Sequence, residues 1–452
     1  MSYRFFTFLA LLLTLACQPQ EQPVRKIGFP AGSTHPDWSR NTAIYEVNVR
    51  QYTPEGTLAA FTPHLPRLKA LGTDIIWLMP IFPIGEKNRK GSLGSPYAVK
   101  DYRAVNPDLG TMADLQHLVK EAHKLGMYVI LDWVANHTAW DNPLTQSHPE
   151  WYEKDSLGNF KPPVPDWHDV IKLDYNQPGL RQYMIESMQY WLSEADVDGF
   201  RCDVAMMVPT SFWEEARTAL DKVKPVFMLA EAEVPEHLDY AFDMYYGWEL
   251  HHIMNEIARG NQDVNHLVAY LHKNDTLFPA DAYRMNFITN HDENSWNGTI
   301  AERLGPAADA MAVLMATLPG MPLIYSGQEA GLNKRLAFFE KDTINWQDTS
   351  KVAFYQTLLQ QKKVNRALWN GTAGGELNII RSDSAVLAFS RAKEGDRLLA
   401  VFNLSPHPAT LDWPATDLDG MHILLDNTGI ELTDAGQYEL PPWSYRVLTN
   451  KP

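Results

Sequence analysis

Gly199-Phe200-Arg201-Cys202-Asp203 sets a guanidinium and a carboxylate two residues apart at the end of an apolar run. Side chains two apart on a strand share a face, so Arg201 and Asp203 point together while Cys202 points the other way as a buried structural thiol. A cation beside an aspartate favours its ionised form, which a carboxylate nucleophile needs at neutral pH. Other short apolar runs end in similar fashion: Tyr128-Val129-Ile130-Leu131-Asp132, Val226-Phe227-Met228-Leu229-Ala230-Glu231, and Met285-Asn286-Phe287-Ile288 leading to Thr289-Asn290-His291-Asp292. Taken singly, each charge is an ordinary strand-end ion pair. Gathered at the ends of several strands, they can divide nucleophilic and acid–base work between two carboxyl groups. Asp132 reads as support for Arg201 and not as a reactant.

Something must bring these ends together. Apolar runs of four to six residues rich in Val, Ile, Leu and Phe predict strands buried on both faces, the mark of a parallel sheet. They fall near 43–49, 74–79, 128–132, 199–203, 226–231, 239–243, 284–289 and 322–326. Amphipathic helices lie between them. Thr111, an N-cap with Asp114 three residues on, opens a helix that stops at Gly126, and helices over 209–222 and 306–317 are each opened by proline. Eight alternating strands and helices predict an α/β chain folded as a (β/α)8 TIM barrel, whose polar strand ends gather at the C-terminal mouth.

These segments resemble the motifs of the α-amylase family, family 13 of the glycoside hydrolases. Asp132-Trp133-Val134-Ala135-Asn136-His137 matches its third-strand motif, 199–203 the fourth, Glu231 the fifth and Asn290-His291-Asp292 the seventh, while 72–83 and 320–329 match those of strands two and eight. The resemblance implies Asp203 as nucleophile, Glu231 as general acid/base and Asp292 as a grip on sugar hydroxyls. It also implies substrate contacts from Tyr97, a platform under the ring, and from His137, Arg201 and His291. The chemistry asks for the same set: a retaining glycosidase needs two carboxyl groups about 5–5.5 Å apart, one attacking and one protonating. The expected activity is hydrolysis of α-1,4 bonds in starch or maltooligosaccharides. A 4-α-glucanotransferase or a cyclomaltodextrinase/neopullulanase-type enzyme would use the same residues, and a glucan-binding lipoprotein without catalysis is a more distant alternative.

Departures from the pattern are informative. Met206-Met207 replaces a lysine-histidine pair that many α-amylases carry after the nucleophile, so recognition of the leaving group must differ. Lys172 stands where many relatives have a calcium-ligating aspartate, and an ammonium cannot ligate a cation. Although Asn136 is retained as a possible metal ligand, no cofactor is required and a structural calcium is not expected. Lysine at this place resembles the neopullulanase and cyclomaltodextrinase branch, whose N-terminal domain has no room ahead of the first strand. The catalytic barrel is expected over 37–372, with a small domain B inserted over 138–173. Alternating patterns such as Ala385-Val386-Leu387-Ala388-Phe389-Ser390 and Arg397-Leu398-Leu399-Ala400-Val401-Phe402 predict a C-terminal antiparallel β domain over 373–452.

Residues 1–16 carry one basic residue, Arg4, and an apolar stretch too short to span a bilayer, as a signal peptide does. Leu13-Thr14-Leu15-Ala16-Cys17 resembles a bacterial lipoprotein signal, with Cys17 as the lipidated residue and 17–36 as a polar linker. Gln18 is not the aspartate that retains many Gram-negative lipoproteins at the inner membrane, so an outer-membrane site in the cell envelope is expected. With Cys17 in lipid, Cys202 is left without a disulfide partner. The formal net charge of −16 gives no electrostatic case for nucleic acid or an anionic membrane surface. A neutral α-glucan is indifferent to it, and 14 tryptophans and 19 tyrosines suit sugar stacking.

Overall fold

The computed structural model describes residues 35–414, 416–432 and 435–452. The expected leader, Cys17 and nearly all of the linker lie outside them. The strands in chain order are β1 (Ile44–Val47), β2 (Ile75–Leu78), β3 (Tyr128–Trp133), β4 (His137–Ala139), β5 (Val170–Lys172), β6 (Gly199–Cys202), β7 (Phe227–Ala230), β8 (Met244–Tyr246), β9 (Tyr283–Asn286) and β10 (Met321–Tyr325). Eight close into a parallel barrel in the order β1-β10-β9-β8-β7-β6-β3-β2. β4 and β5 form a separate antiparallel pair within the excursion between β3 and β6.

Strand alternation sorts the side chains into two cores. Ile44, Trp77, Ile130, Leu229, Met244, Met285 and Leu323 fill the barrel interior, while their neighbours Tyr45, Ile76, Val129, Met228, Tyr245 and Ile324 pack outward against the helices. Each such side chain, fully buried, contributes about 1.5–3 kcal/mol relative to exposure. Cys202 belongs to the outer layer and is a free, buried thiol. Gly199 has no alternative residue: a Cβ there would lie 1.9 Å from the Phe227 carbonyl oxygen.

The helix at Met112–Lys124 begins as its capping box requires, with Thr111 accepting from the Asp114 amide and Asp114 accepting back from the Thr111 amide. The helix after Pro209 covers Thr210–Leu220. Pro306 sits instead in a 3-10 turn, Gly305–Ala307, ahead of the helix Ala308–Thr317. The expected sixth strand is displaced. His237–Tyr240 forms a helical turn, and the strand starts only at Met244. The Asp243 carboxylate is the reason: it accepts from the Met228 amide at 2.7 Å and from Arg217 Nη1 at 2.9 Å, so it anchors the strand's entry.

The C-terminal region has a five-stranded sheet of β11 (Asn378–Ser382), β12 (Val386–Lys393), β13 (Asp396–Asn403), β15 (His422–Asp426) and β17 (Tyr445–Thr449), with β14 (Ala409–Trp413) and β16 (Gly436–Leu440) as a second sheet. Val386, Ala388, Val401, Leu411 and Trp413 form its core. Arg391 joins it to the barrel by donating to the carbonyls of Thr317, Trp369 and Gly375. Among the described residues no helix is long and apolar enough to cross a membrane.

Candidate active site

The barrel interior turns polar at its C-terminal mouth, where Glu46, Asp132, Arg201, Asp203 and Glu231 follow the inward-facing apolar positions. Arg201 is completely buried at the centre. Its Nη1 donates to Asp132 Oδ1 at 2.8 Å and to Asp203 Oδ1 at 3.0 Å, and its Nε donates to the Tyr246 hydroxyl at 3.2 Å. Nη2 lies 2.8 Å from Glu231 Oε2 but makes no hydrogen bond, so that contact is ionic. Trp77, Tyr246 and Tyr97 surround the guanidinium at 5.0, 5.6 and 5.8 Å from their ring centroids.

One cation thus serves three carboxylates. Burial is the largest influence on Asp203 and pushes its carboxyl well above the usual range, Arg201 opposes that, and Glu231, Asp132 and Asp292 add repulsion. Arg201 Nη1, 3.0 Å from Asp203 Oδ1, is the charge that favours the Asp203 carboxylate against that burial. Burial also lifts Glu231, against Arg201 and the Val204 amide, which donates to Glu231 Oε2 at 2.7 Å.

Val204 makes that contact at some expense. Its φ of 36° is left-handed, a conformation that costs a β-branched residue on the order of 1–3 kcal/mol. Met206 and Met207 follow in the turn Ala205–Met207, 49% and 36% exposed at the rim. The Met207 sulfur accepts weakly from Asn136 Nδ2 at 3.7 Å.

A second network carries the other candidates. Tyr97, buried, donates its hydroxyl to Asp132 Oδ2 at 3.0 Å, lies 2.8 Å from His291 Nε2, and stacks on the His291 ring. His291 Nδ1 meets Glu46 Oε1 at 2.5 Å, and Nε2 faces Asp292 Oδ2 at 3.4 Å. Burial pulls the imidazole down, but Asp292 and Glu46 more than offset it and raise it to about 9. His291 is thus a cation at neutral pH. His137 differs: burial lowers it to about 3, so it is neutral, and its Nδ1 faces the Asn136 amide at 3.2 Å. Asp292 is the most open of the group, with 35% of its side chain exposed. The mouth therefore gathers Asp203, Glu231, Asp292, Tyr97, His137, Arg201 and His291.

Sequence reasoning missed Glu46, Trp77 and Tyr246. Trp77 also donates to Asp132, at 3.1 Å. The available signal was the carboxylate in Ile44-Tyr45-Glu46-Val47, since a lone charge in a strand buried on both faces needs a partner. The indole and phenol look like ordinary core residues in sequence.

The donor set near Asn136 does not suit calcium. Lys172, paired across β4 and β5 with His137, is held by Glu153 at 2.8 Å, and Asn136 turns its amide nitrogen toward His137 and Met207. Among the described residues no three His, Cys, Asp or Glu side chains converge as a metal cluster.

Comparison with known proteins places the fold and the family. The family model described as alpha amylase, catalytic domain, matches residues 32–370, and that of the maltogenic amylase C-terminal domain matches 377–447. Alpha-amylase MalA of Haloarcula japonica is 29% identical over 84% of the chain, which spans only 58% of that relative. The crystal structure of an alpha-amylase from Lactobacillus plantarum is 34% identical, covers 91% of the chain and 99% of its own, and superposes with a TM-score of 0.79. A noncanonic maltogenic alpha-amylase, AmyB, from Thermotoga neapolitana is 32% identical over 90% of the chain and 96% of its own, with a TM-score of 0.77. A barrel whose mouth collects these carboxylates, and whose sequence matches the catalytic-domain model across most of its length, makes the chain a member of the α-amylase family of glycoside hydrolases.

Proposed function

We propose that the protein is a retaining hydrolase of α-1,4-linked glucans, acting on starch-derived maltooligosaccharides. The observation that carries this reading is the single guanidinium of Arg201 in contact with both Asp203 and Glu231 at the barrel mouth. Asp203 attacks the anomeric carbon while Glu231 protonates the departing oxygen, giving a glycosyl-enzyme. Glu231 then takes a proton from the water that releases the sugar. Raised by burial, Glu231 is suited to hold the proton it must deliver. Asp292, His291 and His137 bind ring hydroxyls, and Tyr97 lies beneath the ring. The exposed Met206 and Met207 offer an acceptor sugar few strong hydrogen bonds, which favours water over transfer. Relatives named as maltosyltransferases keep transfer as the competing outcome.

Proton NMR of early product should show the α-anomer before mutarotation; β-anomer first would refute the assignment. Glu231→Gln should lose about 10²–10⁴-fold on starch oligosaccharides yet far less on a glycosyl fluoride, whose departure needs little acid help. Comparable losses on both would point to a different acid.

The leader over 1–16 and Cys17 support a lipid-anchored location in the cell envelope, at the outer membrane. Cys17→Ser should move the protein from the membrane pellet to the soluble fraction. Unchanged sedimentation of the variant would argue against the anchor.

A further inference from the structure

On the functional reading above, the departing chain leaves on the side of the acid Glu231, at the end of β7. The non-reducing side of the bound sugar faces away from it. In the closed strand order β1 lies diametrically opposite β7, flanked by β10 and β2. The loops that follow those two strands are tied together there. The Leu93 amide donates to the Phe339 carbonyl at 3.1 Å, and Ser92 gives its amide to Glu340 Oε1 at 2.8 Å and its hydroxyl to the other carboxylate oxygen. Arg50, on the turn Val49–Tyr52 that follows β1, donates to the carbonyls of Gly94 at 3.0 Å and Phe338 at 3.4 Å, bridging both loops.

The tie continues on either side. Lys90 reaches the excursion between β3 and β6, pairing with Asp169 at 3.1 Å and donating to the Asp166 carbonyl at 2.7 Å, and its ammonium lies over the Phe339 ring. Asn294, two residues past Asp292, donates to the Lys334 carbonyl at 3.0 Å and accepts from the Leu336 amide at 2.9 Å. The two loops touch without a gap: a Cβ on Gly91 would lie 2.5 Å from Phe339 Cβ. Nor is the contact remote, since the Phe338 ring lies 6.2 Å from that of Tyr97 and nearly parallel to it.

We propose that this tie is the wall that ends the cleft on its non-reducing side, so that the enzyme takes free chain ends and rejects the interior of a glucan. The inference rests on the roles given to Asp203 and Glu231. A chain running past the site would have to pass where Ser92 and Leu93 meet Phe339 and Glu340, and parting them breaks several hydrogen bonds at once. Specificity then comes from exclusion more than from added attraction.

Two chromogenic maltoheptaosides test this, one with its non-reducing end free and one with that end closed as a cyclic acetal. The wild-type enzyme should cleave the capped compound roughly a hundredfold more slowly than the free one. In Ser92→Gly/Glu340→Ala, capped turnover should rise by about tenfold while the free substrate changes little. Equal wild-type rates on the two compounds would overturn the wall alone, and inactivity on both would overturn the hydrolase reading together with it. A variant that folds, by circular dichroism and turnover of the free substrate, yet still excludes the capped compound would overturn the role of this tie. Amylose viscosity offers a check without variants: it should fall slowly relative to reducing-end release, and a rapid fall would overturn the proposal.

Discussion

Arg201 divides one positive charge among Asp132, Asp203 and Glu231, and His291 supplies the second cation of the mouth. That second charge depends on Glu46, which the strand pattern hides. Glu46→Gln removes one of the two carboxylates that raise His291, so the imidazole should lose its proton at lower pH. The alkaline limb of kcat/KM, which reports ionisation of the free enzyme, should move down by about one unit. An unmoved limb would mean that His291 does not control it. Asp203, Glu231, Asp292 and His291 were legible because each ends an apolar run. Glu46 was not, because it sits within a run, and no rule of spacing links it to a histidine 245 residues away. The strain at Val204 was equally invisible, since valine is an ordinary strand residue and only the geometry shows it left-handed.

Seven of the eight barrel strands were readable from apolar runs bounded by turns, and the capping box at Thr111 fixed one helix start. The sixth strand escaped because its three residues, Met244–Tyr246, are too few to show a pattern, and Tyr240, Ala241 and Phe242 just before them form an apolar run of their own. The helix Val352–Val364 ends at Asn365, whose side chain accepts from the Ala367 amide and donates to the Arg397 carbonyl and Thr449 hydroxyl. Such a tertiary anchor leaves no local signature. The β4–β5 pair carries the prediction about metal. With the Lys172 ammonium bound to Glu153 beside Asn136, where it would repel a cation, prolonged chelation should change the melting temperature by less than about 2 °C and leave activity intact. A larger drop restored by calcium would locate a metal elsewhere in the chain.

The floor of the barrel is closed by the residues that enter it. Trp38 stacks on Tyr128, the first residue of β3, and lies against Phe227, the first of β7. His35 meets Asp243, just ahead of β8, at 2.7 Å and Asp281, just ahead of β9, at 3.4 Å. Burial opposes its charge, but the two aspartates raise it to about 9. A histidine raised from 6.5 stabilises the fold fully below pH 6.5 and ceases to do so as the pH climbs through 9. Thermal denaturation of His35→Gln should therefore show a deficit on the order of 3 kcal/mol near pH 6 that narrows by pH 10. A deficit constant with pH would assign the effect to the ring's stacking on Tyr283 instead. The same seam sets a direction. His35 lies at the floor, while Asp203, Glu231 and Asp292 open at the opposite pole. A body held at its floor would keep its back to the point of attachment and turn its mouth outward, where a diffusing polymer arrives without first having to slip beneath it.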